Sequence, residues 1–248
     1  MSTIHALSEP VLPVLDPNAS AVPGIAAVRV LPCPGIPSSH LAINLMRTDP
    51  GWSTTTHHHG ELDTTLYVVR GTMAFHCGPG LRESVAASAG ELASIDPHAV
   101  HAEYNPDAGE ASLGITARDT PGMFIVPSEP AERTSGTGIT VVPPASSSSA
   151  STLDFMPYGS HHLRVRRLAL DRLTLSPGAH FTAPASAADE TAICVLDGSA
   201  HITGGTVDKG LDGHSGAWWY VEPGAHWSLS NQAATAVAEL LVIRSRIA

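Results

Sequence analysis

Residues 51–71 read GWSTTTHHHGELDTTLYVVRG, three consecutive histidines followed by a short β-branched run that ends on glycine. Side chains on a strand alternate between faces, so His57 and His59 project together and His58 points the other way. Two imidazoles on one face form a natural metal chelate. The run TLYVVR has the length and residue types of a buried strand, and its inward set is Thr64, Leu66 and Val68.

The spacing of this stretch recurs in the second half of the chain. Gly51, His57, His59, Thr64 and Gly71 are matched, with the same gaps, by Gly178, Pro184, Ser186, Thr191 and Gly198. Further on, Gly90, His98, His101 and Asn105 are matched by Gly216, Gly224, Trp227 and Asn231. Two copies of one β unit follow from this self-similarity. Turn glycines repeat between the copies, and the histidines do not.

Outside these blocks the pattern is one of short apolar or alternating runs bounded by Gly, Pro or Asp. LAINLMR, TMAFHC, ELASID and ASLGITA lie in the first half, and RVRRLALDRLTL, TAICVLDG, SAHITG, AWWYV and AVAELLVIRS in the second. Each reads as a strand, no long amphipathic helix is visible, and the fold class is all-β. Between the two groups, residues 127–152 are rich in Ser, Thr, Pro and Gly and read as a linker, with ITVV available as an edge strand. The expected domains are therefore 1–126 and 153–248.

Composition narrows the function classes. The 248 residues carry a formal net charge of −10 with only 13 Lys plus Arg, which argues against a nucleic-acid face. Arg164, Arg166 and Arg167 form one short basic cluster and read as a solvated strand face. Cys33, Cys77 and Cys194 are far apart and make no CxxC pair, so a reducing, cytoplasmic setting is expected. No segment reaches the roughly 20 apolar residues of a membrane helix, and no exported leader is apparent.

His101 follows a strand and turn, and a closed barrel brings it opposite His57 and His59. Three neutral imidazoles suit Fe, Zn, Ni, Cu or Mn and leave coordination positions open. Alternation after His101 places Glu103 and Asn105 on its own face, where Glu103 is a candidate to orient a histidine or accept a substrate proton. His76 shares a face with Thr72 and Ala74 and is a further pocket candidate.

Gly-x5-His-x-His-x4-Thr-x6-Gly, then Gly-x7-His-x2-His-x3-Asn, resembles the two motifs of the cupin superfamily. The usual pattern has Glu at the place of Thr64, and Pro-x-Gly at the place of Asp96-Pro97-His98. With the degenerate second copy, the resemblance implies a bicupin, two tandem jelly-roll (double-stranded β-helix) barrels. It makes His57, His59 and His101 the metal ligands, with Glu61, Asp63, His58 and His98 as neighbouring competitors. Threonine is a poor ligand for a divalent ion, so a three-histidine site is expected.

Pro184, Ser186, Thr191 and Trp227 stand where the second copy's ligands would be, so that barrel is expected to hold no metal. His180, Glu190 and His226 are expected to be structural, and Trp218, Trp219 and Trp227 to supply aromatic burial. Among cupins a three-histidine centre resembles Fe(II) dioxygenases that cleave carbon–carbon bonds in β-diketones or phenolic acids. The expected partners are a small organic substrate, O2 and one divalent ion, Fe(II) ahead of Zn, Ni, Mn or Cu, with sheet edges that allow a homodimer. The competing expectations are Lewis-acid isomerase, cyclase or lyase chemistry and a non-enzymatic binding barrel.

Overall fold

The structure, a computed structural model, describes residues 2–7, 25–36, 38–120, 125–129, 138–144, 158–184 and 189–246. Apart from a 3-10 turn at Pro79–Leu81, every regular element among them is a strand. No helix among them is long and apolar enough to cross a membrane. Each sequence run identified as a strand contains one, and the three cysteines are free. RVRRLALDRLTL is broken, however: Arg164 ends the strand His161–Arg164, and Arg166 and Arg167 are exposed in the bend before Leu168–Leu175, so the basic cluster is a turn and not a strand face.

Two compact units form: Val11–Leu31 with Ala42–Pro144, and Met1–Pro10 with Pro32–Leu41 and Ala145–Ala248. Each has one six-stranded antiparallel sheet. In the first barrel the order is Ile139–Val142, Leu92–Ile95, Thr64–Arg70, Ser112–Arg118, Ala42–Thr48 and Ile25–Leu31. In the second it is Ile4–Leu7, Trp218–Val221, Asp189–Asp197, Ala238–Arg246, Leu168–Leu175 and His161–Arg164. The two orders correspond strand for strand, which is the fold expected from the repeat.

This division departs in three places from the boundaries expected from composition. The N-terminal strand pairs with Trp218–Val221, so it belongs to the second barrel. Residues 32–41 cluster there too, and Ile139–Val142, inside the expected linker, closes the first barrel's sheet against Leu92–Ile95. Ile139–Val142 is the edge strand that ITVV made available, and short edge strands of this kind carry little pattern from which composition can assign them to a barrel. The rest of the linker lies mostly outside the described residues.

A smaller sheet faces each large one: Glu83–Ser88, Thr72–Cys77 and Ala102–Tyr104 in the first barrel, and His180–Thr182, Trp227–Ser230, Ser199–Gly204 and Val207–His214 in the second. Met46, Leu66, Val68, Met73 and Phe75 pack between the sheets of the first barrel. Trp219, Trp227, Leu229, Leu240 and Val242 do so in the second. The expected inward set Leu66 and Val68 is therefore core, with Thr64 buried on the same face.

The repeated polar residues hold loops. Asn105 Nδ2 donates to the Thr48 and Glu110 carbonyls at 3.3 and 2.8 Å, and its Oδ1 accepts from Asp107 N. Asn231 does the same with Leu175, Ala236 and Ala233. Repetition of Asn is thus a backbone requirement, since buried carbonyls need donors. Glycine repeats for a related reason. Gly198 has φ +78°, and a Cβ there would lie 2.4 Å from the Val237 carbonyl oxygen, whereas Gly178 has φ +72° and open space. Gly198→Ala is expected to cost about 3 kcal/mol or more, the left-handed penalty plus a backbone clash, and Gly178→Ala only about 1 kcal/mol. Urea unfolding of both variants measures this, and equal losses would sink the clash argument.

Candidate metal centre

His57 and His101 come together through the backbone. His57 N donates to His101 O and His101 N to His57 O, each at 2.9 Å, a narrow antiparallel pair outside the longer strands. Directly opposed residues share a face, so the two rings lie side by side. His59 follows two residues later on that face, and Glu103 two residues after His101. Glu103 stands opposite Phe75, a core residue, which confirms that it points inward.

The ring centroids of His57 and His101 are 4.5 Å apart, and His59 lies 5.1 Å from each. One ligand atom from each of His57, His59, His101 and Glu103 falls within 4.8 Å of the others. The His57 and His101 side chains are 1% and 0% exposed, and that of Glu103 is 13%. His57 Nδ1 and His101 Nδ1 each sit 2.8 Å from a carbonyl, of Thr55 and Ala99, so both donate there and leave Nε2 as the lone-pair atom.

His101 Nε2 is enclosed and has no hydrogen-bond partner. A buried acceptor left this way is costly unless a cation or donor meets it. Three imidazole nitrogens and one carboxylate oxygen, converging in a buried space, fit a single divalent ion. Glu103 thus joins the cluster as a fourth candidate ligand, a role that sequence reasoning did not assign to it. The expected carboxylate position, Thr64, stays a threonine on the neighbouring wall, with its Oγ1 buried and without a hydrogen bond.

The competitors sit elsewhere. His58 faces away, accepting a bond from Gly60 N, with its ring 5.3 Å from His98. His98 Nε2 meets the exposed Glu61 at 2.7 Å, and His98 itself has φ +59°, matching the Gly224 φ of +78° at the equivalent turn. Asp63 is buried outside the cluster. His76 is not a pocket group: it is exposed and stacked on Tyr104 at 4.3 Å, because Met73, Phe75 and Cys77 take the inward face of its strand.

In the second barrel Thr191 is buried, Pro184 is exposed, and Trp227 fills the place of His101 as a core residue beside Tyr158 and Phe181. Ser186 lies outside the described residues. Glu190 is buried and accepts bonds from Ser38, Ser39 and His40, a structural role, while His180 and His226 are exposed.

Comparison with known proteins agrees with this geometry. Residues 44–116 match the family model described as Cupin domain. The fold is that of two tandem cupin barrels. Bacterial pirin YhhW from Escherichia coli in complex with nickel(II) is similar over 99% of this chain and 100% of its own, with TM-score 0.66 and 16% identity. Salicylate 1,2-dioxygenase from Pseudoaminobacter salicylatoxidans is similar over 88% of this chain and 76% of its own, with TM-score 0.63 and 15% identity. Oxalate decarboxylase OxdC from Bacillus subtilis is similar over 98% and 77%, with TM-score 0.66 and 14% identity. Among curated proteins none matches by sequence.

Burial holds His101 below the usual imidazole value, with Glu103 pulling the other way. In the unfolded chain a histidine takes up its proton near pH 6.5, about the model-peptide value, and the folded His101 does so only at lower pH. This contribution to stability is complete above pH 6.5 and is lost as pH falls from there toward the folded value. Urea melts of metal-free protein from pH 8 to 5 should show the decline, and His101→Gln should flatten it. An unchanged slope in that variant would place the loss on other groups.

Proposed function

We propose that this protein is a mononuclear metal-dependent dioxygenase of the cupin superfamily, with Fe(II) held by His57, His59 and His101, that cleaves a carbon–carbon bond in a small enolisable or phenolic substrate. The observation that carries the reading is the buried cluster itself, with the His101 Nε2 lone pair unmet and an inward carboxylate beside it. The salicylate dioxygenase likeness is compatible with the reading.

A bound divalent ion supplies Lewis acidity toward an enolate or phenolate oxygen, and iron adds redox chemistry with O2. The protein's own residues set the conditions for that chemistry. The Thr55 and Ala99 carbonyls hold two ligand rings in one tautomer. Glu103 lies within 4.0 Å of His101 Nε2 and can take a proton from substrate at its carboxylate oxygen. Phe75, a core residue, sets its ring edge-on to His101 at 6.1 Å.

A redox-neutral Lewis-acid reading competes, favoured by Glu103 in the donor set, because a saturated three-nitrogen, one-oxygen site also serves ions without redox chemistry. Oxygen separates the two. Protein loaded anaerobically with Fe(II) should consume O2 with 2,4-pentanedione or 2-hydroxybenzoate in an electrode assay. His57→Ala should abolish uptake together with metal content, and Glu103→Gln should lower kcat by about 100- to 10,000-fold. Undiminished turnover under argon would overturn the dioxygenase reading.

A further inference from the structure

Arg118 lies at the end of the Ser112–Arg118 strand and is only 8% exposed. Its strand neighbours Gly114 and Thr116 show where it points, since a Cβ on Gly114 would meet the core residues Leu66 and Met73. Residues two and four further on share that inward face. Arg118 is paired across the sheet with Thr64, the residue at the vacated carboxylate position. It interacts electrostatically with both Glu103 and His101. Among the described residues its side chain makes no hydrogen bond or ion pair, and its Nε is enclosed without a partner, as is Thr64 Oγ1. Two buried donors therefore stand side by side on the wall of the metal cluster.

The second barrel shows this position with an internal anion. Arg244 pairs with Thr191 as Arg118 pairs with Thr64. There, Arg244 donates to Asp171 at 2.7 Å, Asp171 also meets His162 at 2.6 Å, and Tyr158 covers the guanidinium at 3.7 Å. Register identifies the counterparts. Asp171 pairs with His162 and Val242, and Asn44 pairs with Arg29 and Thr116 in the same places. The first barrel thus has Asn44 where the second has an aspartate, and Arg29 where it has a histidine. The internal anion has been removed from around an otherwise equivalent arginine, and Arg29, unlike the buried His162, is exposed.

A buried guanidinium without an ion pair is expensive, and the Glu103 carboxylate it interacts with is shared with the histidines. With a divalent ion present, the ion and Arg118 outweigh the single carboxylate by two positive charges. A bound anion resolves both deficits. We infer that Arg118, with the Thr64 hydroxyl beside it, is the binding site for the carboxylate of the substrate, which makes the substrate a small organic acid and not a neutral diketone. The planar fork of arginine takes both carboxylate oxygens, and Asn44 leaves that fork open. This rests on the reading that the histidine cluster and its walls are the substrate pocket.

The test is calorimetric titration of cobalt(II)-loaded and metal-free protein with 2-hydroxybenzoate and with 2-hydroxybenzamide, which differ in the carboxylate alone. Wild-type protein should prefer the acid by about 10- to 100-fold when loaded, and in the same direction when metal-free. Asn44→Asp, which supplies the internal anion found in the second barrel, should remove the preference and leave cobalt stoichiometry unchanged. Arg118→Met should do the same, and Arg118→Lys should retain part of it. Absence of the preference in wild type, or its survival in both Asn44→Asp and Arg118→Met, would overturn the assignment. Failure to take up cobalt would count against the metal reading alone, because the metal-free titration still reads Arg118.

Discussion

Two backbone hydrogen bonds between His57 and His101 organise the first barrel's chemistry. They join a chain segment that follows the Pro50-Gly51 turn to one that follows the Asp96-Pro97-His98 turn, and they do so outside the regular ladders. Because the pair is directly opposed, the two imidazoles share a face by geometry and not by side-chain preference. His59 and Glu103 then fall into place by alternation, one from each segment. A single pairing therefore brings four donors from two distant stretches into one buried space.

The turns that lead into this pairing are built on left-handed backbone, and this explains which positions the two halves share. Gly51 and Gly178, Gly71 and Gly198, and Gly90 and Gly216 all have positive φ, as do His98 and Gly224. Glycine reaches that region without a Cβ penalty, so its repetition reflects the chain path alone. His98 is tolerated at the same kind of turn while His58 and Glu61 lie beside it on the outer side. The buried asparagines, which bond loop carbonyls in both barrels, belong to the same backbone framework.

The fold was legible because it depends on these framework residues and on alternation, both of which are local. Thr64–Arg70 and Asp189–Asp197 could be recognised from β-branched runs, whereas Glu83–Ser88 and Val207–His214 could not, being largely solvent-facing and polar. Parity also separated His57 and His59 from His58 correctly, and it placed Glu103 inward. It erred for His76, because a strand of the smaller sheet has its own inward set that the sequence does not mark. Glu103 as a member of the donor cluster was not legible, since its distance to the three rings depends on barrel closure. Arg118 carried no motif at all. Its only sequence signal was its match to Arg244 at the end of the second copy, and that match acquires meaning once register shows Asn44 facing one and Asp171 the other.

Compared in this way, the two barrels separate stability from function within one chain. In the second, every inward charge at the strand ends is answered by the protein: Arg244 by Asp171, Asp171 by His162, Arg246 by Asp189. Trp227 occupies the space of the missing ligand, and the apolar core extends toward it. In the first, the same backbone leaves a lone pair on His101, a hydroxyl on Thr64 and a guanidinium on Arg118 without protein partners. Buried polar groups of this kind each cost on the order of 1–3 kcal/mol when unmet. The second barrel differs in supplying its own anion, Asp171, to the equivalent arginine. The unmet groups comprise an acceptor among the histidines and donors on Arg118 and Thr64, and the two proposed occupants, a cation and an anion, answer them in turn.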